Sequence, residues 1–131
     1  MDEATKKRLV ETAIVAAARA YAPYSKFRVG TAAIDDRGTI YTGCNVENAS
    51  YALCVCAERT ALVKAVSDGA GKIVGLAVVT LDAPGTCSPC GACRQIIHEL
   101  VEKDAAVLLA DRNGTWVETT PPELLPEAFT L

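Results

Sequence analysis

The chain has 131 residues, 50% hydrophobic and 22% charged, which suits one compact domain with a real core and is too short for two ordinary ones. Its formal net charge is -3 and the basic residues are scattered among acidic ones, so a polybasic nucleic-acid surface is not expected. No stretch is apolar for long enough to span a bilayer or biased enough to stay disordered, and the N-terminal segment lacks the apolar run of a signal peptide, so a cytoplasmic location is expected.

In chain order, Leu9, Ala13, Ala16, Ala17 and Ala20 recur at helical spacing among charged residues and predict a helix over about 5–21, ended by Pro23. After the turn Ala22-Pro23-Tyr24-Ser25, residues 27–34 read as a strand, which Asp35-Asp36-Arg37-Gly38 folds back onto 39–44 as an antiparallel pair. Residues 45–55 have no period and read as a loop able to carry function. A helix follows over about 56–66, with Ala61, Leu62 and Ala65 on its buried face and Gly69 and Gly71 beyond its end. The nearly unbroken apolar run 73–81 predicts a strand covered on both faces and central in the sheet. Ser88-Pro89 supplies a cap and first helical position for a helix over about 90–101. Another buried strand spans 105–110, Asn113-Gly114 turns the chain into a strand at 115–119, and 121–129 form a short helical or irregular tail. The order implies an α/β three-layer sandwich, a mixed five-stranded sheet between helices, with the third and fourth strands parallel across a right-handed crossover, all within a single domain over 1–131.

The chemistry concentrates in two cysteine clusters, Cys56-Ala57-Glu58 and Pro89-Cys90-Gly91-Ala92-Cys93. Six cysteines in a chain of this length without an export signal read as cytosolic thiols, not disulfides. Cys54, Cys56, Cys87, Cys90 and Cys93 fall in the clusters as metal ligands would, while Cys44 stands apart as a small buried apolar residue. Both clusters lie where the chain enters a helix, whose free N–H groups and positive end favour thiolates. Cys90 and Cys93 are three apart, so one helical face can aim both at a single metal that Cys56 completes. Three thiolates can hold one zinc and leave its fourth position open to water, and Glu58 is near enough in sequence to move that water's proton. The excess negative charge needs compensation, for which the two helix N-termini and the donors of Arg59 and Arg94, aimed at the ligand sulfurs, are candidates. A carboxylate that takes a proton from water, delivers it to a ring nitrogen and then protonates a leaving amine performs hydrolytic deamination. The alternative is a closed structural site of four cysteines, with Cys54 or Cys87 as the further ligand, but such a site has no use for Glu58. Each spare thiol reads as a buried neighbour, and an exchange with Cys56 or Cys90 stays open.

The clusters and their surroundings resemble the cytidine deaminase family, in its small tetrameric branch with three zinc-binding cysteines. The likeness runs through 22–30 (APYSKFRVG), 43–48 (GCNVEN), 56–61 (CAERTA), 88–95 (SPCGACRQ) and 123–126 (ELLP), and so covers nearly the whole chain. Zinc deaminases with a PCxxC element use a non-ligating glutamate in the manner read for Glu58. The resemblance implies one zinc per subunit on Cys56, Cys90 and Cys93, with Glu58 as proton shuttle. It implies that Asn45 and Glu47 bind the ribose hydroxyls, that Phe27 packs on the pyrimidine, and that the backbone around Ala57 reads the base. From residue type alone, Asn45 and Glu47 would be loop caps and Phe27 a core residue. The family implies a homotetramer with shared sites, in which Phe129 and Tyr51 reach a neighbour, against a reading of both as ordinary packing. Thr31 stands where the family often has alanine. His98 and Trp116 are assigned to structure and packing. The implied activity is deamination of cytidine and deoxycytidine to the uridines with release of ammonia, in pyrimidine salvage. The rivals are a deaminase of an aminonucleoside antibiotic, resembling blasticidin S deaminase, a noncatalytic zinc module, and an RNA-editing deaminase, which would want a basic surface.

Overall fold

The computed structural model describes residues 1–131. Helix α1 (Glu3–Ala17) is capped by Asp2, whose carboxylate accepts from the Thr5 N–H at 2.8 Å, and it buries Leu9, Val10, Ala13, Ala16 and Ala17. It stops short of the expected residue 21 because Tyr21 is drawn into an extended bridge with Val46: the Tyr21 N–H donates to Asn45 O, and the Glu47 N–H donates to Tyr21 O. Strands β1 (Val29–Asp35) and β2 (Ile40–Cys44) form the expected hairpin, with Gly38 at a φ of +83° in its turn. Asp35 ties this turn to the chain entering the next strand, since its carboxylate accepts from the N–H groups of Arg37, Thr39 and Gly71. Those three donors hold its pKa below the usual value despite burial.

Helix α2 (Ala57–Ser67), β3 (Ile73–Thr80), α3 (Gly91–Leu100), β4 (Val101–Ala110), β5 (Trp116–Thr119) and a short α4 (Pro121–Leu124) complete the chain. The sheet order is β2-β1-β3-β4-β5, with β3 and β4 parallel and every other neighbouring pair antiparallel. The mixed five-stranded sheet between helices is the architecture expected from the sequence, with β3 at its centre. β3 alternates accordingly: Ala77 and Val79 pack with Leu9, Val10 and Leu108 on the α1 side, while Leu76 and Val78 pack with Leu62, Ile97 and Val107 on the α2 and α3 side. Each of these fully buried large side chains contributes on the order of 1.5–3 kcal/mol through apolar burial.

β4 begins at Val101, four residues before the run expected at 105–110. Val101 pairs with Ile73, after which the register slips before Ala106 meets Gly75, so Glu102, Lys103 and Asp104 lie in an irregular, polar start that masks the strand. The tail resolves into α4 followed by irregular chain. Two glycines set the helices on the sheet: a Cβ on Gly30 would strike the α1 backbone at Ala13 and Ala17, and one on Gly43 would strike the α2 backbone at Ala57 and Ala61. Thr31, opposite Gly43, is fully buried, and its hydroxyl is the one buried side-chain oxygen with no partner. Trp116 is half-buried against the α1-side core, as its assignment to packing expects. No helix is long and apolar enough to cross a membrane.

Candidate active site

Both helices that carry the cysteine clusters start at the same place. Cys56 is the N-cap of α2 and Cys90 the N-cap of α3, each in an extended conformation, so the first turns begin one residue after the thiol. This corrects the expected start of the later helix, in which Ser88 was to cap and Pro89 to open it. The chain remains extended through Cys90, and the buried Pro89 lies outside the helix. Cys93, in the first turn of α3, is fully buried.

The Sγ atoms of Cys56, Cys90 and Cys93 lie within 4.8 Å of one another, and the Cys56–Cys90 separation is 3.9 Å. Thiolates placed tetrahedrally about 2.3 Å from a zinc stand about 3.8 Å apart, so the donor set fits that metal in number, type and spacing. In the free chain, burial raises the Cys56 and Cys93 thiols, whereas Cys90, the most exposed of the three, is lowered despite partial burial by the N–H and thiol of Cys93 and the thiol of Cys56.

Glu58 sits in the first turn of α2 with 4% exposure, and burial pushes its pKa above the usual carboxylate value. It lines a cavity of about 310 Å³ together with Cys56, Ala57 and Cys90. Phe27, Val29, Asn45 and Glu47 line the same cavity, as do Cys87 and Ser88 of the loop before α3. Phe27 is not a core residue: it precedes β1 and is 39% exposed. Asn45 donates from Nδ2 to Phe27 O and accepts at Oδ1 from the Val29 N–H, both at 2.8 Å, so one N–H and one lone pair remain for a ligand. Glu47 accepts the N–H groups of Tyr24 and Ser25 at Oε1, which leaves Oε2 free. The Ser25 hydroxyl, with the N–H groups of Ser25 and Tyr24, holds the Glu47 pKa below the usual value.

The remaining expected residues fall elsewhere. Arg94 donates to Pro89 O, Leu124 O and Ser88 Oγ, at 2.8–2.9 Å, rather than to any ligand sulfur. Its guanidinium fixes the loop before Cys90 to the tail, which is a different role from the one expected. Arg59, half-buried in the first turn of α2, likewise makes no hydrogen bond to a thiol within the chain. Tyr51 is 73% exposed and packs edge-on against Tyr24 at 6.1 Å, beside a second recess that shares Ser25 and Glu47 with the main cavity. Phe129 is 69% exposed on the tail and does not line the cavity, while its carbonyl accepts from Gln95. His98 is half-buried against the tail, away from the thiols. Cys44, expected to be buried, is only half-buried at the end of β2. Cys54 is half-buried on the backbone of Asn48, and Cys87 is half-buried with a thiol that burial pushes up to about 11. Neither belongs to the thiol trio.

The sequence reading missed Ser25, Val29, Cys87 and Ser88 as lining residues. Ser25 had a signal, since a serine two residues before Phe27 can turn its hydroxyl onto the Phe27 N–H, as it does at 3.0 Å.

The chain's residues 3–109 match the model of the cytidine and deoxycytidylate deaminase zinc-binding region. A cytidine deaminase of Sporosarcina psychrophila is 49% identical over 124 residues, covering 95% of this chain and 90% of the relative. Among solved structures, a cytidine deaminase from Burkholderia pseudomallei superposes with a TM-score of 0.89 at 44% identity, covering 98% of this chain and 100% of that one. A cytidine deaminase from Mycobacterium tuberculosis does so with a TM-score of 0.81 at 40% identity, covering 95% and 96%. With three thiols spaced for zinc beside a buried glutamate, and with likeness over almost its whole length, the chain belongs to the zinc-dependent cytidine and deoxycytidylate deaminase family.

Proposed function

We propose that this chain is a single catalytic domain over residues 1–131 that hydrolyses cytidine and deoxycytidine to uridine and deoxyuridine, releasing ammonia. The observation that carries the reading is the buried Glu58 in the same cavity as two of the three clustered thiols. Zinc on Cys56, Cys90 and Cys93 supplies Lewis-acid activation of water at this position. Glu58 accepts a proton from the attacking water as oxygen bonds to C4, and passes it to N3 of the ring. It then takes the second proton from the new hydroxyl and gives it to the C4 amine. The C4–N bond breaks, a carbonyl forms, and ammonia leaves. Burial raises the pKa of this carboxyl above the usual value, which makes it a stronger base toward the water's proton than an exposed one.

The ring of Phe27 flanks the base, and the backbone at Ala57, the first residue of α2, faces its polar edge. The remaining N–H of Asn45 and the free Oε2 of Glu47 take the ribose hydroxyls, a pairing that favours a nucleoside over free cytosine. Ultraviolet assays of cytidine, deoxycytidine, cytosine and blasticidin S, with and without a chelator, test the reading. Turnover of both nucleosides, lost on chelation and poor with cytosine, is expected, whereas turnover of blasticidin S alone would refute it.

The assembly proposed is a cytoplasmic homotetramer in which Tyr51 and Phe129 complete neighbouring sites. Its support is the exposed apolar set Val46, Tyr51, Leu53 and Phe129, which a monomer would leave in water. An active monomer in sedimentation at assay concentration would overturn it.

A further inference from the structure

The cavity has two walls that come from distant parts of the chain. Phe27 and Val29 precede and open β1, whereas Cys87 and Ser88 lie on the loop between β3 and α3. Arg28 lies between the two residues of the first wall, and Asp82 is the second residue of the loop that carries the second. Arg28 grips Asp82 with a two-pronged guanidinium, Nε to Oδ2 at 3.0 Å and Nη2 to Oδ1 at 2.9 Å, and its own N–H donates to Oδ2 at 2.8 Å. The Arg28 carbonyl accepts from the Leu81 N–H at 3.1 Å and the Thr80 hydroxyl at 3.0 Å, and that hydroxyl accepts the Asp82 N–H at 3.3 Å.

A lone exposed ion pair contributes little, but here one carboxylate receives a fork and a backbone N–H together. Residues 83–87 take part in no hydrogen bond, so apart from the packing of Cys87 on the core the stretch is held by the anchors on either side of it. The far anchor is Arg94 on Ser88 and Pro89, and the near one is Arg28 on Asp82. The opposite edge of the first wall is fixed independently by Asn45, through Phe27 O and the Val29 N–H.

We propose that the Arg28–Asp82 pair is a positioning device that ties the Phe27 wall to the Cys87–Ser88 wall and thereby sets the width of the slot for the pyrimidine base. The inference rests on the reading that the cavity takes a cytosine nucleoside. Neither residue touches the substrate or a ligand cysteine, so loosening the pair weakens the grip on the base and leaves proton transfer by Glu58 in place. A slot freed to widen also accepts a bulkier pyrimidine more readily.

The test compares the parent protein with Asp82→Ala and Asp82→Asn, all loaded with zinc, on cytidine and 5-methylcytidine. Asn keeps an oxygen for the Arg28 N–H and the shape of the side chain but loses the charged fork, so it decides the matter if the alanine variant fails to fold. The expected result is a KM for cytidine raised by about tenfold in Asp82→Ala and less in Asp82→Asn, with kcat changed by less than about threefold. Zinc should stay at one per chain, and the preference for cytidine over 5-methylcytidine should fall. Unchanged KM and preference in a folded variant would overturn the proposal and mark the pair as structural only. A fall in kcat with loss of zinc would also overturn it, by showing that the pair acts on the metal site. If the parent itself fails to deaminate cytidine, the functional reading fails first and takes the slot with it; with a parent that works, the variants report on the pair alone.

Discussion

Glu58→Gln separates the proton carrier from everything else the glutamate contributes. The side chain is 4% exposed, and glutamine has the same length and nearly the same volume, so the exchange opens no cavity. Burial already disfavours the charged form, so removing the ionisable group should leave the melting temperature at or above that of the parent. What disappears is a group able to carry protons both to N3 and to the leaving amine. One such transfer contributes about 10²–10⁴ in rate, and because the same carboxyl serves two, kcat should fall by at least about 10⁴, or about 5.4 kcal/mol of barrier. Glu58→Asp retains the chemistry but withdraws the carboxyl by about one C–C bond, about 1.5 Å. A displacement of that size costs about 10², so the aspartate variant should lie between the parent and the glutamine variant. The assay is the loss of cytidine absorbance at saturating substrate, with zinc per chain measured on the same samples. A glutamine variant with full zinc and kcat within tenfold of the parent would refute the assignment of Glu58. A loss of zinc in that variant would show that the glutamate holds the metal and does not merely serve it.

Cys90→Ala removes the N-cap thiol of α3 from the cluster, so zinc should fall well below one per chain and the melting temperature should drop as α2 and α3 lose their tie; full zinc by metal analysis would point to Cys87 as the ligand. Thr31→Val exchanges the unpartnered buried hydroxyl for a methyl of similar shape and should stabilise the fold by about 1 kcal/mol in urea unfolding; a destabilised variant would show that the hydroxyl has a partner in solution. Asp82, held at about 2 against an ordinary 3.8 chiefly by its bonds to the Arg28 guanidinium and N–H, binds a proton more readily once unfolded. Its contribution to stability is therefore complete above pH 3.8 and lost as the pH falls toward 2, so Asp82→Asn should flatten that part of the stability curve in acid titrations followed by circular dichroism.

The sheet was legible in the sequence because its pattern is local: the nearly unbroken apolar run at 73–80 is satisfied by cover on both faces, and Asp35 to Gly38 read as a turn. The thiol trio was legible only in part: Cys90 and Cys93, three apart at one helix start, share a face by spacing, but that Cys56 rather than Cys54 or Cys87 completes them rested on the family resemblance. The ends of elements were not. Tyr21 leaves its helix for a bridge to Val46, and Val101 joins β4 by pairing with Ile73, so each outcome depends on a partner tens of residues away. Arg94 shows the same limit at the site. Its position after Cys93 suggests a donor to sulfur, but Leu124 O, thirty residues on, is one of the groups that claim it. The Arg28–Asp82 pair, 54 residues apart, has no sequence signature at all.

The cavity also shows why the alternative readings of Asn45 and Glu47 were not exclusive. Asn45 is at once a loop cap and a wall of the cavity: one donor and one acceptor lock Phe27 and Val29, and one of each remains. Glu47 spends Oε1 on two backbone N–H groups and leaves Oε2 free. A side chain anchored in this way loses little further conformational freedom when a ligand arrives, so its hydrogen bonds are made at low entropic cost. Phe27 benefits likewise, because its backbone carbonyl is held by Asn45 and its neighbour Arg28 by Asp82. On the function proposed above, substrate recognition would rest on polar side chains whose first task is to fix the backbone beside them, and mutations that release the backbone should weaken binding even where no contact to the nucleoside is removed.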